Sequence, residues 1–396
     1  MIRVLHFTPH REVCGIAKYH QRCLNSLGLV PDIQNTLSRY SPYQVREMKR
    51  REFGLALREL RRELECHDVL HVQHEFDLFS GGQFAQIANL AIESGRRLVV
   101  TAHTAPGERF RESLTGGFGP RAVLERLRQL RERRVFVRES ARTFQMASVV
   151  ICHSAFIASE LRRIGVMGER VLQLEHPVPE VSRFARSSRL RDRLDGSGGA
   201  MIIAMLGFVH RYKGIQDAIR SLSLLPESYK LAIIGGVHPL SSDVQFLDEI
   251  AALVAECNAE KRVFVTGVVT DDDEMSAMIR ECDICVFPYD QEYYRNASSD
   301  SLSLAFANHM PVVAYPTESI RGVAAATNAV VLCSAASHID LAREIQRINT
   351  VEQGSRSAVY ASATSWSRQA RVLAQVYSSV VRGESLSALQ GSSRVS

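Results

Sequence analysis

The chain has no run of about 18 apolar residues, the length a membrane-crossing helix needs. Its start, "MIRVLHFTPH", lacks the basic-then-apolar order of a signal peptide. The expectation is a cytoplasmic protein. Cysteine is sparse, at eight in 396 residues, and most of it sits in apolar runs ("VVICHS", "DICVFPY", "VVLCS"), which argues against a disulfide framework. Cys282 and Cys285 form a lone CxxC without a second ligand pair, so buried thiols are expected there. HxH and HExxH patterns are missing, so no metal site is expected. No GxGxxG fingerprint follows either half's first strand, so a dinucleotide-dependent oxidoreductase is not expected. There is no short internal repeat.

What is present is alternation. Short apolar runs at 3–8, 68–73, 97–103, 148–154 and 170–176 are separated by amphipathic segments at 16–27, 42–64 and 84–94. The second half repeats the plan with runs at 200–209, 229–236, 262–269, 283–289, 311–316 and 329–334. Strands separated by helices predict parallel α/β sheets, and the continuous Val/Ile/Leu runs predict strands buried on both faces. Between the halves, "SRFARSSRLRDRLDGSGGA" is basic and Ser/Gly-rich, a linker composition. The expected domains are residues 1–180, a linker at 181–199, a second domain at 200–364, a helix at 365–385 and a frayed tail at 386–396.

The net charge of +5 is modest, but arginines cluster between residues 109 and 142. They make either a solvated helix face or a surface for anionic lipid or a phosphorylated acceptor. Nucleic acid is not expected, because aromatics are not interleaved with them. In open parallel sheets ligands bind beyond the strands' C-terminal ends, and polar residues collect there. Gly15 lies in a loop between strand and helix, where backbone N–H groups can approach an anion. His71, Gln73, His74 and Glu75 sit at and after one strand end of the first half, where several polar side chains together suit a cleft, and His103 lies at another strand end. In "GFVHRYKGI", Arg211 and Lys213 precede a helix, where two cations and the dipole suit a pyrophosphate. "IIGGVHP" supplies Gly235, Gly236 and His238. The acids in "TDDDEMSAMIREC" read as helix capping rather than a metal-binding DxD.

Taken in order, "CGIAKYHQRCLNSL", "DVLHVQHEFDLF", "VVTAHT", "VVICHSAFIASEL", "GFVHRYKGIQDAI", "LAIIGGVHP", "VFVTGVV", "DICVFPY" and "ANHMPVVAYP" resemble a GT-B glycosyltransferase of the retaining family 4 kind. The resemblance implies two Rossmann-like, doubly wound domains facing a cleft, with a C-terminal helix crossing back to the first. It implies a hexose transferred from a nucleotide-diphosphate sugar, UDP- or GDP-linked, without a cofactor or metal. The acceptor would be a hydroxyl of a glycan, a lipid-linked glycan or a small molecule, held by the first domain through residues such as His74 and Glu75. Gly15 would offer its N–H to the donor diphosphate, His103 would lie near the reaction centre, and Arg211 and Lys213 would neutralise the departing nucleotide. Gly235, Gly236 and His238 would border the sugar. The chain departs from the family where two glutamates are usual: Asn296 and Leu304 stand there. The helix start "SSDSL", with Ser298, Ser299, Ser301 and Leu302, would then meet the donor, and Asp300 reads as the N-cap. Since the retaining reaction is usually drawn with the donor phosphate helping to remove the acceptor proton, loss of both acids is compatible with activity. A catalytically silent sugar-nucleotide-binding regulator is the alternative. A peripheral contact at the inner membrane surface is the arginines' implied use.

Overall fold

The structure is a computed structural model. It describes residues 1–10, 14–80, 82–104, 120–182, 184–196, 198–237, 245–292 and 299–386. The chain divides into two compact units, one of Met1–His176 with Trp366–Arg394, the other centred on Pro177–Ser365.

The first unit is built from β1 (Ile2–Phe7), α1 (Gly15–Leu27), β2 (Ile33–Leu37), α2 (Pro42–Glu47), α3 (Arg50–Glu65), β3 (Val69–His74), α4 (Gln83–Glu93), β4 (Arg97–Ala102), α5 (Pro120–Met146), β5 (Val149–Cys152), α6 (Ala155–Arg163) and β6 (Val171–Gln173). Its sheet is parallel, in the order β2-β1-β3-β4-β5-β6. The order reverses at β1, so the ligand position defined by topology lies beyond the ends of β1 and β3. β2 was not expected from the sequence: "IQNTL" is an edge strand, half-exposed, and carries no apolar run. The segment 42–64 was read as one helix and is two. Met48 is extended, and Glu52 folds back to accept the Lys49 N–H at 2.9 Å, starting α3 afresh.

The second unit holds α7 (Arg189–Leu194), β7 (Met201–Leu206), α8 (Ile215–Leu222), β8 (Tyr229–Ile234), α9 (Gln245–Glu256), β9 (Val263–Val265), α10 (Asp272–Ile279), β10 (Ile284–Phe287), α11 (Asp300–Ala307), β11 (Val312–Ala314), α12 (Glu318–Thr327), β12 (Val331–Leu332), α13 (His338–Arg347) and α14 (Thr350–Ala363). The sheet runs β12-β11-β10-β7-β8-β9, again parallel, and reverses between β7 and β10. The stretch of linker composition is not a loose tether in its middle. Leu190 and Leu194 of α7 are buried, each worth roughly 1.5–3 kcal/mol if fully removed from water. The Glu281 carboxylate accepts the Leu190 and Arg191 N–H groups, both at 2.9 Å, and Arg191 pairs with Asp283 at 3.0 Å. The composition is polar because α7 shows its other face to solvent.

The last helix, α15 (Trp366–Arg382), returns to the first unit. Trp366, Leu373, Val376 and Tyr377 pack with Tyr19, Cys23 and Leu27 of α1 and with Val4, Val69 and Val99 of the sheet. The second apolar face of that sheet is covered by α3, α4 and α6. The acidic cluster caps α10: the Asp271 side chain accepts the Glu274 N–H at 2.7 Å. Cys282 and Cys285 are buried, and burial raises both thiols well above their ordinary value. Among the described residues no helix is long and apolar enough to cross a membrane, and no group of three or more His, Cys, Asp or Glu is placed to hold a metal.

Candidate active site

Strand alternation decides what lines the first unit's sheet. Leu70, Val72 and His74 of β3 point to one face, His71 and Gln73 to the other. His74 is therefore packed with the core. It is 3% exposed, and the rings of Phe76, Phe79, Phe84 and Phe144 enclose it at 4.4–5.5 Å. The strand-end position had suggested an acceptor contact; the pleat instead turns the ring into the aromatic core. Glu75, one residue on, is half-buried.

The opposite face carries a polar file of which the sequence marked only His71 and Gln73: His6 of β1, His71 and Gln73 of β3, Thr101 of β4 and His153 after β5, with Tyr19 and His20 of α1 and Tyr377 of α15. The period-2 spacing of His6, His71, Gln73, Thr101 and His103 with the buried valines was the available signal. His71 bonds Tyr377 Oη at 2.7 Å through Nδ1 and Thr101 Oγ1 at 2.8 Å through Nε2. His103 bonds Gln73 Oε1 at 2.8 Å through Nε2, and the Gln73 amide nitrogen faces His71 Nε2 at 3.4 Å. A carboxamide oxygen only accepts, so in this arrangement His103 carries its proton on Nε2 and presents Nδ1 as a lone pair. Burial, with His153 and His176 nearby, holds the His103 pKa well below the ordinary histidine value. Tyr19 stacks edge-on against His103 at 4.9 Å and meets His153 Nε2 at 2.8 Å. Gly15 opens α1, exposed, with open space where a Cβ would stand.

In the second unit the strand order reverses between β7 and β10, and a polar cluster occupies that place. Lys213 closes a 3₁₀ turn after β7 and is buried, 7% exposed. Its ammonium donates to the Leu206 carbonyl at 2.8 Å and to Tyr289 Oη and Ser301 Oγ, both at 3.3 Å. Burial lowers its pKa, with Tyr212 and Asp300 opposing. Gly207 turns the chain with φ +88°; a Cβ there would lie 2.7 Å from Ser301 Oγ and 3.0 Å from Lys213 Nζ. Gly235 has φ +156°, and a Cβ would strike the Gly207 carbonyl oxygen at 2.1 Å. Its N–H donates to Thr266 Oγ1 at 3.0 Å. A Cβ on Gly236 would lie 2.7 Å from the Val268 backbone nitrogen. These positions are glycine because backbone meets backbone at the strand ends.

Arg211 does not follow Lys213 inward. Its guanidinium is held by Glu249 of α9 at 2.6 and 2.7 Å and lies over the Phe246 ring at 4.7 Å. Ser299, not Asp300, caps α11: Ser299 Oγ accepts the Leu302 N–H at 3.1 Å. Leu302 has a buried side chain, and Leu304 is 5% exposed among Ala305, Phe306 and Met310. His238, Asn296 and Ser298 lie outside the described residues. Tyr289 and Gly207, which complete the cluster, had not been singled out; the signal was their place just beyond β10 and β7.

Two parallel six-stranded sheets with flanking helices, each reversing beside its polar residues, define the class of GT-B glycosyltransferases. The family profiles agree: Glycosyltransferase Family 4 matches residues 25–179 and Glycosyl transferases group 1 matches residues 188–366. The chain belongs to the GT-B glycosyltransferases of the group 1 kind. Solved structures share the fold. HepE from Anabaena in complex with UDP is 14% identical, covering 96% of this chain and 100% of its own, with TM-score 0.72. Sucrose-phosphate synthase from Thermosynechococcus elongatus is 16% identical over 97% and 100%, TM-score 0.69. The UDP-forming trehalose-phosphate synthase from Burkholderia xenovorans, in complex with glucose-6-phosphate, is 10% identical over 96% and 100%, TM-score 0.66. No protein of curated function matches by sequence.

Proposed function

We propose that this glycosyltransferase moves a hexose from a UDP- or GDP-sugar to a hydroxyl of a glycan, lipid-linked or small-molecule acceptor, with retention and without a metal. The observation that carries the reading is the buried Lys213 ammonium, whose hydrogen-bond partners among the described residues are all neutral. A buried cation without a hydrogen-bonded carboxylate is costly unless a ligand supplies the negative charge, and a nucleoside diphosphate does so. The leaving diphosphate would be stabilised there as its bond to the sugar breaks. Gly235, Gly236, Ser299 and Ser301 would border the donor. His103, with Nδ1 as acceptor, would receive a sugar or acceptor hydroxyl, Gly15 would turn its N–H to the diphosphate, and Glu75 would meet the acceptor. The neighbours' UDP complexes support a uridine donor.

The same chain supports a second reading, a sugar-nucleotide-binding protein without turnover, because Leu304 is a core residue and cannot hold a ribose. Donor hydrolysis or transfer across a panel of acceptors separates the two. Arg131, Arg134, Arg138 and Arg142 on α5 are exposed beside Leu130 and Val135, which supports a peripheral contact with anionic lipid at the inner membrane surface. The test of the donor site is thermal: one of UDP, GDP or ADP, or its sugar, raises the melting temperature, and Lys213→Ala diminishes the rise. Equal shifts in wild type and variant remove Lys213 from the site.

A further inference from the structure

Lysine can only donate, and that single fact orients the cluster. Tyr289 Oη must accept from Lys213 Nζ, and it meets Ser299 Oγ at 3.0 Å, where either hydroxyl can supply the proton. Ser299 Oγ at the same time accepts the Leu302 N–H of the first turn of α11. A chain of hydrogen bonds thus runs from the ammonium through a phenol to the cap of the helix. Tyr289 is itself fully buried, and the ammonium lies 5.2 Å from its ring centroid. Ser301 Oγ adds the remaining side-chain acceptor. Among the described residues no carboxylate is hydrogen-bonded to Nζ; the collar they form is two hydroxyls and the Leu206 carbonyl.

We infer that Tyr289 and Ser301 are positioning residues, holding the Lys213 ammonium against the anion of the donor in place of a carboxylate. The inference rests on the donor reading above. The physical consequence is specific. A carboxylate partner would neutralise the lysine and compete with the diphosphate for it. Neutral oxygens fix its direction, and Asp300 acts on it only through space, which leaves the hydrogen-bonding face of the ammonium to the ligand. They also protect the charged form less than a carboxylate would, so binding is sensitive to alkaline pH, and each hydroxyl removed makes it more so.

The experiment is calorimetric titration of the full chain with UDP, GDP and ADP between pH 6.5 and 9.5, for wild type, Tyr289→Phe, Ser301→Ala and Lys213→Ala. The expected result is about tenfold weaker binding of the preferred nucleotide by Tyr289→Phe at neutral pH. The alkaline fall in affinity should begin at lower pH in Tyr289→Phe and in Ser301→Ala, and be missing from the residual binding of Lys213→Ala. A merely structural tyrosine would not move that limb. Should Tyr289→Phe fold poorly, Ser301→Ala carries the same limb shift with the tyrosine intact. Wild-type affinity and an unmoved limb in both hydroxyl variants, with Lys213→Ala impaired, overturn the inference and leave the donor reading standing. No binding of any of the three nucleotides by wild type overturns both.

Discussion

Acid should unfold the first unit well before ordinary carboxylate titration would. His6, His20, His71, His74 and His153 are buried in it, with His103 half-buried beside them. Burial is the first cause in every case: it pushes His6 down to about 4, His74 and His153 to about 3, and His20, His71 and His103 well below the ordinary value. In the unfolded chain these rings titrate near 6.5, so below that pH the unfolded state binds more protons and stability falls as pH falls. Each ring contributes about 1.4 kcal/mol per pH unit between 6.5 and its folded value. His6, His74 and His153 alone give roughly 4 kcal/mol per pH unit between pH 6 and 4, a large part of a typical 5–15 kcal/mol. The assay is built in. Trp366, the sole tryptophan, is 3% exposed and packs in this unit 4.8 Å from the Tyr19 ring, so its fluorescence follows denaturant unfolding of this unit at each pH. The expected acid midpoint lies above about pH 4. His74→Leu, inside the phenylalanine cage, should lower the pH slope by one proton, about 1.4 kcal/mol per unit. Constant stability from pH 7 to 5, or an unaltered slope in His74→Leu, would refute the reasoning.

Gly207→Ala should weaken nucleotide-diphosphate binding at least tenfold by pushing Ser301 and Lys213 aside. It should also cost about 1–3 kcal/mol for a side chain at φ +88°; melting and titration read the two losses separately. His309 follows α11 with φ +58°. His309→Gly should therefore stabilise the second unit by about 0.5–1 kcal/mol of relieved strain net of glycine's entropy, read as a higher melting temperature; a fall would show that the histidine's own contacts outweigh its backbone.

Much of this was legible because buried parallel strands must be apolar on both faces. "VLHVQ", "LVVTA" and "MIIAML" announce themselves, as does the amphipathic α15. What escaped obeyed other rules. The edge strand β2 is too polar to stand out, and α7 hides in linker composition because two leucines and the acceptor Glu281, far away in sequence, are enough to dock it. At the site, the sequence marked Lys213 and the glycines from their place after strands. It could not tell that Arg211 would be taken by Glu249 or that Ser299 would cap in place of Asp300, since both choices turn on distances of a few ångströms.

From its residues alone the chain was bound to form two parallel α/β units, because periodicity and burial are local properties of the pattern. Which side chains share an environment is not local. The turn of His74 into a phenylalanine cage, the file of histidines under α15, and the meeting of Lys213 with Tyr289 and Ser301, 76 and 88 residues further along, follow from strand order and pleat. Those exist only once the sheets have closed.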